Sequence, residues 1–345
     1  MQKYKLALVG ATGVVGEITR KVLEEHNLPI SEYKFFASNK SAGKMILFNN
    51  REYEVQELRD DSFGEGFDYA IFATDNEVSE KYIPIAVEHG CTCIDNSSSF
   101  RMTKGIPLVV PEVNLDDIDH NEGIVTSPNS STIEAAVVLS PLDIAYRIKR
   151  IVYSTYQAVS GAGMSGIQDL QAGIEKYSYG KEYELKGTPY EIFNNCIPKI
   201  GNFKDDRYTV EEHEMIDETR KVLKRASLPI TATTVRVPVF NSHSESINIE
   251  FEKEYEINDL IETLRMAPGI IVKDDIDNNI YPMPIDTNNQ DKVFVGRIRR
   301  DYSVKSGINL WVVADNIRKG AAINSVQILE GLIDRRAKIN KRKEI

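Results

Sequence analysis

Gly10, Gly13 and Gly16 stand three residues apart, directly after the apolar run 3–10 and at the head of a helical pattern running from 14 to about 25. Strand, glycine-rich turn and helix in that order form the context a dinucleotide fingerprint requires. The glycines permit a tight turn and close approach of backbone to a pyrophosphate, whose charge a helix N-terminus favours. Gly10, Thr12, Gly13, Val14 and Val15 are therefore cofactor-binding candidates, with a purely structural turn as the alternative. The next expected strand, 33–37, ends in Ser38, Asn39, Lys40 and Ser41. An NAD-specific fold usually carries Asp or Glu there for the ribose 2′-hydroxyl. Hydroxyls and a cation suit a 2′-phosphate instead, so Ser38, Lys40 and Ser41 favour NADP over NAD; Lys40 also reads as a solvated lysine.

Other residues have chemistry to offer. Arg236 and His243 lie seven apart in an alternating strand–loop segment, where both also read as surface residues. Glu211 and Glu214 are separated by three residues in a helical stretch, which places two carboxylates on one face. Glu211 reads equally as a first-turn acid favoured by the helix dipole. Cys91 and Cys93 face one side of an apparent strand, but no second Cys or His pair sits nearby, so a buried strand is expected rather than a metal site.

The elements that must position these residues fall into two groups. Runs at 69–73, 91–95 and 123–126 continue the first two strands, with helical stretches between the earlier ones; this alternation implies a doubly wound parallel sheet. Beyond a helix at 131–139, strands are expected at 150–158, 230–238, 247–252, 293–298 and 308–314. With helices at 166–177, 211–223 and 257–266, they suggest an α+β domain. The closing amphipathic helix, 320–333, has the length to dock back on another surface. The expected organisation is a dinucleotide-binding domain of 1–127 plus 319–345, and a second domain of 128–318.

The 345 residues exceed one comfortable core. A net charge of −10 argues against nucleic acid or an anionic membrane as partner. No window is apolar enough to span a membrane and Met1-Gln-Lys-Tyr runs straight into a strand, so no signal peptide is expected. Three cysteines, an odd number, suggest a reducing compartment, and the protein reads as cytoplasmic. The basic tail from Arg335 to Lys343 reads as a solvated helix end.

Motifs along nearly the whole chain, in order, resemble the aspartate-β-semialdehyde dehydrogenase family. They include Thr126-Ser-Pro-Asn-Ser-Ser-Thr-Ile133, Ile94-Asp-Asn-Ser-Ser-Ser-Phe-Arg101, Pro107-Leu-Val-Val-Pro-Glu-Val-Asn114 and Ser154-Thr-Tyr-Gln157-Ala-Val-Ser-Gly-Ala-Gly163. Ile197-Pro-Lys-Ile-Gly-Asn202, the segment from Arg236 to His243-Ser-Glu-Ser, and Asn309-Leu-Trp-Val-Val-Ala-Asp-Asn316 add to them. The resemblance implies a homodimeric enzyme with an N-terminal NADP-binding domain completed by the C-terminal helix, and an α+β catalytic and dimerisation domain. Its reaction is NADPH-dependent reductive dephosphorylation of L-aspartyl-4-phosphate to the semialdehyde, in the pathway to lysine, threonine and methionine, through an acyl-enzyme. It further implies that Gln157 orients the acyl intermediate and that His243 is the general acid/base, for which a near-neutral pKa is expected. Arg236 would grip the substrate α-carboxylate, Glu211 the amino group, and Arg101 beside Asn129 the phosphate, while Ser160, Gly161 and Asn316 join the cofactor set.

Three positions depart from the family pattern. Ser130 occupies the place of the nucleophilic cysteine, and a hydroxyl needs a closely coupled base where a thiol is readily ionised. Glu214 replaces a lysine, and Asp75-Asn76 replaces a Gly-Gly pair. An enzyme of the family silenced at its nucleophile accounts for Ser130 alone, and a divergent paralogue with a changed substrate accounts for all three; a non-catalytic binding protein on the same fold is the third reading.

Overall fold

A computed structural model describes residues 3–343, with only the backbone described for 341–343. The chain forms two compact units, Met1–Asn129 with Ala321–Ile345, and Ser130–Gly320. The expected bounds were 127/128 and 318/319.

The first unit opens with β1 (Tyr4–Val9), α1 (Val14–Glu25), β2 (Ile30–Ala37), β3 (Met45–Phe48), β4 (Arg51–Glu54), β5 (Gln56–Glu57) and β6 (Tyr69–Phe72). It continues through α2 (Asn76–Glu88), β7 (Thr92–Asp95), the short α3 (Pro111–Asn114) and β8 (Ile124–Thr126). The expected parallel sheet forms, in the order β5-β2-β1-β6-β7-β8. Its central strands are buried on both faces apart from the half-buried Lys5, which is why they read as near-continuous apolar runs rather than alternating ones. Cys91 and Cys93 lie in this core, as the strand reading expected.

The second unit contains α4 (Ser130–Tyr146), β9 (Ile148–Gln157), α5 (Gly163–Tyr179), α6 (Val210–Val222), β10 (Ile230–Arg236) and β11 (His243–Phe251). After these come α7 (Ile257–Met266), β12 (Ile270–Val272), the short α8 (Pro284–Thr287), β13 (Val293–Asp301) and β14 (Gly307–Ala314). Its mixed sheet runs β10-β9-β11-β14-β13-β12, parallel at both edges and antiparallel in the middle. Residues 131–139 of α4 are buried without interruption, so this stretch is covered on every side and sits as core, in part against β9, β11, β13 and β14.

A π-helical turn, Arg318–Ile323, leads into the last helix, α9 (Asn324–Lys343). Helix α9 returns to the first unit, where Val326, Ile328, Leu329, Leu332 and Ile333 join Leu6, Leu8 and Ile94 in one core cluster. Arg335 is not merely solvated: it bonds Asp119 at 2.7 Å and Asp116, and Arg336 meets Asp68 at 3.0 Å. The side chain of Lys343 and residues Met1 and Gln2 lie outside what the structure describes.

Candidate active site

Ser130 is the first residue of α4 and is half-buried. The backbone N–H groups of a helix's first turn lack intrahelical acceptors and carry the positive end of the dipole, which stabilises a developing anion there. Asn129 precedes it as the last residue of the first unit's opening segment.

Around α4 the mixed sheet supplies a row of polar side chains. Gln157 and Arg236 end β9 and β10 in direct register, and Ser244 pairs with Tyr156, which brings His243 to the same end of β11. All three are buried. Gln157 Nε2 donates to Ser131 Oγ at 2.5 Å and to Glu211 Oε1, in the first turn of α6, at 2.8 Å. Gln157 Oε1 is buried without a hydrogen-bond partner. Arg236 Nη1 donates to Ala158 O at 2.7 Å, and the Glu211 carboxylate attracts its charge. Burial lowers the Arg236 pKa. The structure thus brings Ser130, Gln157, Glu211, Arg236 and His243 into one unit. Glu214, three residues beyond Glu211, is half-buried and has interactions of its own.

His243 corrects an expectation. Its pKa is not near neutral: complete burial, and then the Arg236 guanidinium, push it well below the usual imidazole range. The Ala158 N–H donates to His243 Nδ1 at 3.1 Å. A ring nitrogen that accepts carries a lone pair, so the neutral ring bears its proton on Nε2. Nε2 and Arg236 Nη1 both border Gly161: a Cβ there would lie 3.3 Å from the former and 2.6 Å from the latter. Glycine keeps that space open. Ser160 Oγ bonds Asn316 Oδ1 at 3.0 Å, so these two cofactor candidates meet within the second unit.

Sequence reasoning missed a buried charge cluster beside Ser130. Glu134, Glu245 and Lys319 are each fully buried. Both carboxyl groups lack a hydrogen-bond partner. Burial raises the pKa of both well above the ordinary carboxylate range. Glu245 and Asp315 push Glu134 further up, while Lys319 pulls it down. Glu134 lies one turn after Ser130, a spacing legible in the sequence, but nothing there marked it as buried. Ser131, the partner of Gln157, carried no signal.

In the first unit, Gly10 has φ +82°, and a Cβ there would lie 2.2 Å from Ala73 O. A Cβ on Gly16 would lie 2.1 Å from Gly10 O. Gly13, by contrast, is the exposed N-cap of α1, where a Cβ would meet only Gly10 O at 3.5 Å. Bare backbone at a helix N-terminus fits a pyrophosphate. Ser38 and Lys40 are exposed beyond β2, and Lys44, which the sequence reading missed, reaches Ser41 Oγ at 3.5 Å. Arg101 is buried and held by main-chain oxygens, Nε on Ser127 at 2.9 Å and Nη2 on Asn96 at 2.8 Å. Asp75 and Asn76 have structural work: Asp75 caps α2 through Val78 N at 3.0 Å, and Asn76 Oδ1 accepts from Ser98 N at 3.0 Å.

Comparison with known proteins defines the class. Residues 5–121 match the semialdehyde dehydrogenase NAD binding domain, and 139–319 the semialdehyde dehydrogenase dimerisation domain. The aspartate-semialdehyde dehydrogenase of Aquifex aeolicus is 46% identical over 333 residues, 96% of this chain and 98% of its own. Aspartate semialdehyde dehydrogenase II of Vibrio cholerae, solved complexed with ASA, is 42% identical with a TM-score of 0.93, covering 97% of this chain and 99% of its own. That of Candida albicans, solved with NADP, shares the fold at 24% identity, with a TM-score of 0.75 over 96% of this chain and 98% of its own. The chain belongs to the aspartate-semialdehyde dehydrogenase family.

Proposed function

We propose that this chain is an NADPH-dependent reductase of L-aspartyl-4-phosphate, yielding L-aspartate 4-semialdehyde and phosphate, in which Ser130 limits the rate. The observation that carries this reading is the convergence of Gln157, Glu211, Arg236 and His243 in the unit whose central helix begins at Ser130.

Arg236 presents a forked cation suited to the substrate α-carboxylate, and Glu211 an acceptor for its amino group. The Glu211 carboxylate favours the charged form of Arg236, which burial opposes. Gln157 holds the acyl group in place. His243, neutral with its proton on Nε2, acts by donating a hydrogen bond or proton to oxygen. Arg101 with Asn129 takes the phosphate. The turn of Gly10, Thr12, Gly13, Val14 and Val15 would hold the cofactor pyrophosphate; Ser38, Lys40, Ser41 and Lys44 suit the 2′-phosphate of NADP, and Ser160, Gly161 and Asn316 are the cofactor candidates of the second unit. Bound there, the nicotinamide supplies hydride. A homodimer is supported by the match to a dimerisation domain and by Tyr156 on the mixed sheet, which is 40% exposed and packs on the half-buried Trp311 at 5.5 Å. Among the described residues no helix is long and apolar enough to cross a membrane.

A changed substrate is the second reading, favoured by Glu214 alone, because Asp75 and Asn76 are accounted for by the cap of α2 and the clasp on Ser98. One assay separates the two: phosphate-dependent reduction of NADP⁺ by aspartate β-semialdehyde. Ser130→Cys is expected to exceed the present chain by about 10⁴-fold, the scale of a lost nucleophile. Silence from both, with NADPH still bound, would transfer support to a different substrate that Glu214 selects.

A further inference from the structure

Resting on that reading, we infer that Glu134 is the proton acceptor for the Ser130 hydroxyl, so that this chain carries an oxygen nucleophile together with its own base.

The placement comes first. Ser130 and Glu134 are four residues apart on α4, one helical turn, and therefore share a face. Both border Gly320: a Cβ there would lie 2.6 Å from Ser130 Cβ and 3.3 Å from Glu134 Oε1. With no side chain at Gly320, nothing from that residue fills the space beside Ser130 Cβ and Glu134 Oε1. Glu134 is fully buried, and neither of its oxygens has a hydrogen-bond partner in the structure. The pair is not yet bonded, as befits catalytic contacts that tighten when substrate binds.

Elimination supports the same residue. A serine hydroxyl attacks only if a base takes its proton. His243 has no ring nitrogen open to take it, because Nδ1 accepts from the Ala158 N–H and Nε2 already bears the ring proton. Its low basicity, set by burial and Arg236, points the same way. Gln157 and Arg236 are no bases. Glu211 Oε1 is engaged by Gln157.

The charges facing Glu134 suit the role. Glu245 lies on β11, with Asp315 and Lys319 on the segment following β14, and Lys319 is the cation that keeps an ionised carboxylate tolerable in the interior. Two buried carboxylates beside one ammonium retain a proton between them more readily than an exposed pair. A carboxylate made more basic by such surroundings is a better match for a hydroxyl proton.

The step balances within the chain and its substrate. The Ser130 proton passes to Glu134, and the freed electron pair forms the bond from Oγ to the acyl carbon. The bond from that carbon to the phosphate oxygen breaks with its pair on phosphate. An ester of Ser130 remains, and reversal of the proton transfer restores both side chains when the acyl group departs.

The test needs no nicotinamide nucleotide. L-Aspartyl-4-phosphate is mixed with the dimeric protein, and release of one equivalent of phosphate per chain is followed, with intact mass reporting the aspartyl ester. Glu134→Gln is expected to slow this burst by about 10²-fold or more, whereas in a Ser130→Cys background the same change costs at least ~30-fold less. The burst rate of the unchanged chain rises with pH through one ionisation that Glu134→Gln abolishes, and Glu134→Asp restores part of the rate. Equal losses in both backgrounds mark a structural role and overturn the inference. A silent Ser130 chain beside a bursting Ser130→Cys variant also overturns it, leaving the family reading intact. Silence from Ser130→Cys as well removes both.

Discussion

At the scale of single residues, the most consequential finding is that His243 is a neutral donor held by its surroundings. The Ala158 N–H fixes the ring through Nδ1, and Arg236 beside it opposes a second proton. In the unfolded chain the same imidazole titrates near its ordinary value of about 6.5. Because the folded pKa lies below that, the unfolded state binds more protons over the interval between the two. Stability from this group is therefore complete above about pH 6.5 and is lost as pH falls toward the folded pKa, by up to about 1.4 kcal/mol per pH unit. Denaturant titrations of the unchanged chain and of His243→Gln between about pH 5 and 7.5 read this directly: the gap between the two curves is expected to shift in favour of His243→Gln as pH drops. A gap that stays constant with pH means that His243 keeps an ordinary pKa, and the tautomer argument goes with it.

At the scale of elements, what the sequence disclosed is uneven for physical reasons. Apolar runs, glycine turns and helix-length amphipathic stretches are local signals, so the doubly wound sheet, the α+β unit and the returning helix were all legible. The β3–β4 hairpin was missed although its turn, Asn49-Asn50 with φ of 50° and 58°, carries the left-handed pair that tight hairpins use. The pairing of Arg236 with Gln157 joins strands distant in sequence, and no local pattern announces it. Glu134 was invisible for a stronger reason, since its burial arises from the tertiary packing of α4 against the mixed sheet and the helices α6 and α7. The glycine turn, by contrast, was read from spacing alone and now has a steric cause. Gly10 lies in the left-handed region and touches the chain after β6, where a Cβ would lie 2.2 Å from Ala73 O. Gly10→Ala adds about 1 kcal/mol or more of backbone strain to about 1–3 kcal/mol of overpacking. It is expected to destabilise the first unit by about 2–4 kcal/mol and to weaken NADPH binding, by denaturation and calorimetric titration. Unchanged stability would mean that the turn can move away from β6, contrary to the tight contact seen.

At the scale of the whole molecule, the first unit is built from two distant stretches of chain, and that has a cost the fold cannot avoid. Its core is incomplete until α9 arrives, because Val326, Ile328, Leu329, Leu332 and Ile333 bury themselves among residues of β1 and β7. Full burial of an aliphatic side chain contributes roughly 1.5–3 kcal/mol, so these residues together are worth about 10 kcal/mol. That is comparable with the entire net stability of an ordinary domain, about 5–15 kcal/mol. The helix also carries polar fastenings: Asn324 Nδ2 donates to Val109 O at 2.9 Å, and Arg335 bonds Asp119 at 2.7 Å. A chain ending at Gly320 therefore cannot keep the first unit folded. The single tryptophan, Trp311, belongs to the second unit and donates its indole N–H to Pro282 O at 3.1 Å, so its emission reports on that unit alone. The expected result for the truncated chain is loss of NADPH binding and of amide protection in β1 and β6, whatever Trp311 reports. If the truncated chain still binds NADPH with unchanged affinity, α9 is a cover rather than core, and the glycine turn is held by the sheet without it.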